Sequence, residues 1–467
     1  MVKTFLLTIG TVALACAATS DAAPDRDLFD LNKGDSVHVR SGDGREHVIK
    51  FIDLVERTEP YFESATKKSV DAVVSAEITV EVDGARKTFT GGPFRMPVTL
   101  NGFAFLLGST RNWSGGYAKD PLAKDIRLEI RDASTPWVAP DRFVFPIRNY
   151  RWRVMNYQHT YLGVVVNQAR LYYHRGEDMG MIPDLEHALA MERFKVVKTP
   201  GPKGDGASNS VVLDDTIGLS FRYAHMNTPN ILPEVRPDAW INQGQALGLT
   251  GNTWRGGPVN DPHLHVQATD PRKGDVFRNT FPMFVAAYRK SFPGEPMPIA
   301  GGWRHLFAGE SLTLDGSLSL AGTGRKIESY AWEFTDGSRA AAASAKRTYA
   351  HPGTYSERLT VTDDKGRSDS DFVEVFVLSR DQKQPPPFAW VNYYPIRGIR
   401  PGTEVRFLIR YSNMGDLKID FGDGTSIPYA ENSTHKFAKA GTYIVTVSGA
   451  DSGSGPGILH ARVIVEP

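Results

Sequence analysis

Apolar and polar residues alternate along much of this chain, with the period of a strand. VVSAEITVEVDGARKTFTG places apolar residues at about every second position, breaks at Asp83-Gly84 and then resumes. Successive side chains of a strand face opposite ways, so the stretch predicts two half-buried strands joined by a tight turn. DIRLEIRDAS and RFVFPIRNY carry the same period, and the Gly/Asn/Trp/Ser-rich STRNWSGGYAKD reads as a loop before them. Residues 25–150 are therefore expected to form an N-terminal β-rich domain. They hold no catalytic constellation, so packing, binding or covering a neighbouring groove is the expected role.

Between residues 151 and 291 the composition changes, and half of the 12 histidines fall there. PDLEHALAMERFKVV predicts a short helix followed by a strand. GPKGDGASN is a loop. NSVVLDDTIGLSFRYAHM predicts two strands around an Asp214-Asp215 turn. INQGQALGLTGNTWRGGPVNDPHLHVQATD runs from glycine turns into another strand. FPGEPMPIAGG, from Phe292, reads as a linker.

Beyond the linker the chain repeats itself. AWEFTDGSRA and RTYAHPGTYSERLTVTDDKG form one copy; IDFGDGTSIP and HKFAKAGTYIVTVSGADSG form the second. Asp336-Gly337 matches Asp423-Gly424, and Gly353-Thr354-Tyr355 matches Gly441-Thr442-Tyr443, with QKQPPP between the copies. Two copies of this length predict tandem β-sandwiches, expected over residues 299–379 and 386–467. They resemble PKD domains, on Trp332, Phe334, Asp336, Gly337, Gly353, Tyr355, Val361 and Asp363 in the first copy. In the second the matching residues are Phe421 to Gly424, Gly441, Tyr443, Val445 and Val447, without a clear tryptophan. The resemblance implies spacing, or binding to wall, polysaccharide or protein, and no chemistry of its own.

Composition narrows the class. The chain has 467 residues, 41% hydrophobic and 23% charged, as an ordinary folded protein of several domains would. A net charge of +1 gives no argument for a nucleic-acid partner. Lys3 followed by the apolar Phe5–Ala15 and small residues reads as a signal peptide over residues 1–23, too short to span a bilayer, and no later run reaches transmembrane length. Export follows, to periplasm, cell surface or medium. The only cysteine, Cys16, lies at the cleavage region, and a lipid anchor there is a second reading.

Three pieces carry candidate chemistry: HRGED, YAHMN and HLHVQ. His263 and His265, two apart on an expected strand, point to one face. A catalytic zinc takes three nitrogen or oxygen ligands and keeps one position open. His174, Asp178 and one HLH histidine supply that count. The other HLH histidine and His225 are left over, as groups able to orient a water and move its proton. His187 and the Asp214-Asp215 pair are read as solvated surface and hairpin turn. In order and spacing the three pieces, with GQALGLTGNT before the last, resemble the M23 peptidases, lysostaphin-like zinc endopeptidases that cut peptidoglycan cross-links. The resemblance spans about Tyr161 to Asp270. It implies Zn2+ held by His174, Asp178 and His265, and a catalytic pair, His225 and His263, flanking the water. It also implies a mainly β chain, with an antiparallel-β peptidase domain over residues 151–291 between the N-terminal domain and two immunoglobulin-like sandwiches. The loops around PDLEHALAMERF, GPKGDG and RGGPVNDP depart from the family pattern, which leaves a protein substrate beside the wall peptide. The rival readings are a non-catalytic wall-binding or regulatory protein on the same fold, and a surface adhesin or scaffold.

Overall fold

The computed structural model describes residues 27–113, 122–156, 159–167, 170–255, 257–258, 261–451 and 453–467. The expected signal peptide and Cys16 lie outside the described residues. The fold is mainly β, and its sheets are largely antiparallel.

Two four-stranded sheets build the N-terminal part. One orders Asp27–Leu31, Ile126–Asp132, Phe103–Thr110 and Val98–Leu100. The other is the run Ser36–Arg40, Glu46–Glu63, Lys68–Val82 and Ala85–Gly91. Asp83 and Gly84 both adopt positive φ (49° and 86°), the geometry a two-residue hairpin needs for its twist to match the strands. The inward residues Ile49, Phe51, Ile78, Val80 and Phe105 close a core that also takes in Tyr161, Leu162 and Tyr173 of the following segment.

The central sheet has the path Glu177–Gly180, His263–Asp270, Ser220–Ala224, Val211–Asp214, Phe194–Lys198 and Trp240–Ile241, with Val276–Arg278 on the far end of His263–Asp270. The hairpin expected around Asp214-Asp215 is present, and Asp215 Oδ1 accepts the N–H groups of Ile217 and Leu219 to close it. Several local expectations differ. PDLEHALAMERF forms no helix: His187–Leu189 is a strand on Ala246–Leu249, with Glu186, Ala188 and Ala190 buried at period two. His187 is accordingly half-buried on a strand rather than solvated surface. RFVFPIRNY is not a regular strand, yet it lies along the same stretch: Ile147 bridges Ala188, Val144 N donates to Met191 O, Leu189 N to Pro146 O and Arg148 N to His187 O, while Pro146 has no N–H to add to the ladder. A helix, Phe281–Ser291, stands where none was expected. FPGEPMPIAGG, read as a linker, is packed down: Met297, Ile299 and Ala300 are buried in the core.

The two C-terminal copies join edge to edge. Gly353–Asp363 and Gly441–Asp451 are equivalent 11-residue strands, and the parallel pair Thr354↔Gly457 fuses their sheets into one of nine strands. Glu374, in Ser368–Leu378, is 3% exposed, and burial raises its carboxyl to about 8. The native chain thus keeps a proton that the unfolded chain gives up above about pH 4.5. The resulting stability is complete below that pH and is lost as pH rises through about 8, by at most about 1.4 kcal/mol per pH unit. Glu374→Gln is expected to match the wild type near pH 5 and to exceed it near pH 8. Urea melts at the two pH values check this; a difference independent of pH would refute it.

Candidate active site

The register of the central sheet assembles the site. Asp178 lies directly opposite His265, and His265 is opposite Ala224 on its other side, with His225 next along the chain. Paired residues share a face, so motifs far apart in sequence converge there. His174 arrives from the turn after Arg170–Tyr173, where its N–H donates to Gly163 O at 2.8 Å. Gly176 makes the turn possible. Its φ is +152°, and a Cβ there would lie 2.6 Å from Val266 O and 2.9 Å from His265 Cε1.

His174 Nε2 lies 3.0 Å from His265 Nδ1 and 3.0 Å from Asp178 Oδ2, and His265 Nδ1 lies 2.7 Å from Asp178 Oδ1. Ligands at tetrahedral zinc bonds of about 2.0–2.1 Å stand about 3.3 Å apart, so these three side chains, with their atoms 2.7–3.0 Å apart, stand a few tenths of an ångström closer than such an ion would hold them. They form a group that could hold a metal. His265 Nε2 donates to Gln267 Oε1 at 2.9 Å, which fixes the ring with Nδ1 turned toward the group. Burial alone would raise the Asp178 carboxyl. The imidazoles of His174, His263 and His265 and the hydrogen bond from His159 instead hold it well below the usual carboxylate range.

His225 and His263 stand beside the triad with ring centroids 4.4 Å apart. His225 has φ +66°, an uncommon conformation for a non-glycine residue and one that clusters at functional sites. The turn behind it is tight: a Cβ on Gly251 would lie 2.5 Å from His225 O. Both rings donate from Nδ1 to a backbone carbonyl, His225 to Thr253 O at 3.2 Å and His263 to Asp261 O at 2.5 Å. Burial, with His263 and His265 adding to it, lowers His225 to about 3. Burial lowers His263 to about 4, against the pull of Asp178. Both are therefore neutral near pH 7 and carry their lone pair on Nε2, the state of a proton acceptor.

The family model for Peptidase family M23 matches residues 172–276, and models for the PKD domain match residues 294–377 and 390–456. The chain carries an M23 peptidase domain followed by two PKD domains. His174, Asp178, His225, His263 and His265 all fall inside the M23 match. Among solved structures, the PKD domain of KIAA 1837 protein is 33% identical, with 18% of this chain and 85% of that one covered and a TM-score of 0.15. CbpA from L. salivarius REN is 18% identical over 32% of this chain and 99% of that one, TM-score 0.23. The secreted serine protease VesC from Vibrio cholerae is 11% identical over 93% and 95%, TM-score 0.18.

Three residues around the M23 site escaped the sequence reading. Gln267 sits two positions after His265 on the same strand face, and period two could have found it. Trp254, 39% exposed, stands with its ring 5.6 Å from that of His225. His159 lies before the M23 match, in YQHTY, and no spacing ties it to the motifs.

Proposed function

We propose that the chain is an exported zinc endopeptidase that hydrolyses peptide bonds in peptidoglycan cross-links. The observation that carries this reading is the triad of His174, Asp178 and His265 with two neutral imidazoles on its flank. His174 Nε2, the Asp178 carboxylate and His265 Nδ1 would hold the zinc, and zinc bound there supplies a Lewis acid that acidifies water and polarises a carbonyl. The remaining work belongs to side chains of this chain. His263 and His225, each with Nδ1–H tied to a carbonyl, offer Nε2 to a water and its proton. Only one of the two takes that proton; the imidazolium so formed donates from Nε2 to the oxygen on which charge develops and then gives the same proton to the leaving amine. The half-exposed Trp254 beside His225 gives the substrate backbone an apolar wall.

The same reading divides the chain at 25–150, 151–291, 299–379 and 386–467, and places it outside the cytoplasm. Lys3 with Phe5–Ala15 supports export, and so do two domains of a kind typical of extracellular proteins. No helix among the described residues is long and apolar enough to cross a membrane.

The test is mass spectrometry of purified peptidoglycan incubated with the chain, with and without a chelator. New peptide fragments that the chelator abolishes are expected, and they name the bond. An unchanged digest from a zinc-loaded chain would reject the wall peptide as substrate, and fragments indifferent to the chelator would reject the zinc.

A further inference from the structure

A fourth imidazole touches Asp178. His159 Nδ1 lies 3.3 Å from Asp178 Oδ2, the oxygen that faces His174 Nε2. The His159 carbonyl also accepts the Asp178 N–H at 2.8 Å, so this residue grips both the backbone and the carboxylate. The ring is 6% exposed. It stays outside the group of mutually close donor atoms, which is His174, Asp178 and His265.

His159 is itself held by the C-terminal half of the chain. The Trp303 ring meets it edge-on at 4.5 Å. Trp303 in turn packs at 5.4 Å on Phe376 and at 4.9 Å on Phe388, which belong to strands of the first and second C-terminal copies. Three residues before His159, Asn156 Nδ2 donates to Ala389 O at 2.7 Å and its Oδ1 accepts from Val391 N at 2.9 Å. These contacts fix the approach of His159 to Asp178 from outside the M23 segment.

We infer that His159 is a positioning residue for Asp178, with an Nδ1–H that donates to Oδ2 and sets the plane of the carboxylate toward His174 and His265. The C-terminal modules hold it there through Trp303 and Asn156. The inference rests on the reading of the triad as a metal centre. A ligating carboxylate that can turn freely loses alignment, and outer partners of this kind typically change metal affinity by about 10–100-fold.

The experiment measures the zinc affinity of the full chain by competition with a chromophoric chelator. His159→Ala and His159→Leu are expected to weaken binding by roughly 10–100-fold. His159→Asn retains an N–H near the position of Nδ1 and is expected to recover most of the loss, which a space-filling role alone would not give. In an Asp178→Asn background His159→Ala should add little, because its effect passes through that side chain. Unchanged affinity in the Ala and Leu variants, equal losses in Asn and Leu, or an undiminished loss in the Asp178→Asn background would each overturn the assignment. A wild-type chain that binds no zinc sinks the metal centre and this role together. A wild type that binds zinc beside an unaffected His159→Ala sinks this role alone.

Discussion

Asp178→Ala and His174→Ala are expected to lose bound zinc and peptidase activity together, whereas His225→Ala should keep the zinc and lose only turnover. Asp178 carries the larger burden. Its carboxylate lies within 2.7 to 3.5 Å of nitrogens from His265, His174, His159 and His263, in a site where it is 7% exposed. A structural zinc site binds with about 10–16 kcal/mol spread over its ligands, so one ligand is worth about 3–4 kcal/mol, or roughly 10²–10³ in affinity. The alanine also leaves the imidazoles facing one another without the anion between them. His225 has no such share in holding the ion. Its Nδ1 is tied to Thr253 O, and it adjoins His263 rather than Asp178. Removal of a proton-transfer group typically lowers the rate about 10²–10⁴-fold. Zinc per chain after desalting, and fragment release from the same samples, separate the two behaviours. Full zinc retention in Asp178→Ala would reject the ligand assignment, and loss of zinc in His225→Ala would reject the division of roles.

The motifs were legible in the sequence because their spacing is physical. Histidines two apart on a strand share a face, and HxxxD brings a histidine and a carboxylate together through one glycine turn. The convergence was not legible. Asp178 meets His265 through cross-strand register, and register depends on strands 87 residues apart in the chain. His159 lies further from reach, since its partner Trp303 arrives from beyond the peptidase segment. The errors in secondary structure share one cause, which is tertiary context. The leucine, glutamate and alanine residues of PDLEHALA favour a helix in isolation, yet Ala188 pairs with Gly248 and the burial runs at period two. The helix Phe281–Ser291 buries Phe281, Pro282, Met283, Phe284, Val285, Ala287 and Tyr288 and confines its polar residues, Arg289, Lys290 and Ser291, to the last turn, so no helical period shows in the sequence. The proline and glycine content of FPGEPMPIAGG reads as a linker and gives no sign that Met297 and Ile299 join the buried core shared by the peptidase and C-terminal segments.

That shared core underlies the other large effect. Asp371→Ala, at a position outside the peptidase motifs, is expected to destabilise the whole chain by about 3–5 kcal/mol. Arg153 Nε meets Asp371 Oδ1 at 2.9 Å, and the two side chains are 7% and 0% exposed. The second Asp371 oxygen accepts from Ala300 N at 2.6 Å, and Arg153 Nη2 donates to Gly301 O at 2.8 Å. The pair therefore clamps the segment that leads to His159 onto the strand Ser368–Leu378 of the first PKD domain. Loss of the carboxylate strands a buried guanidinium, and the penalty comes from that unpaired charge more than from the lost attraction. For the same reason Arg153→Met with Asp371→Leu should recover most of the stability, since matched apolar groups leave no charge behind. The clamp is not isolated. Arg462 N donates to Val154 O at 2.8 Å, Arg397 Nε donates to Tyr150 O at 2.6 Å, and one cluster of buried residues runs from Phe221 and Leu264 to Phe388 and Val463. A chain ending at Ser291 would lack every one of these partners and is expected not to fold. Urea melts of the single and double variants, with circular dichroism of the truncated chain, test the coupling. An Asp371→Ala variant within about 0.5 kcal/mol of the wild type, or a truncated chain with a cooperative melt, would mean that the peptidase segment folds without the PKD domains and that their contacts only tether it.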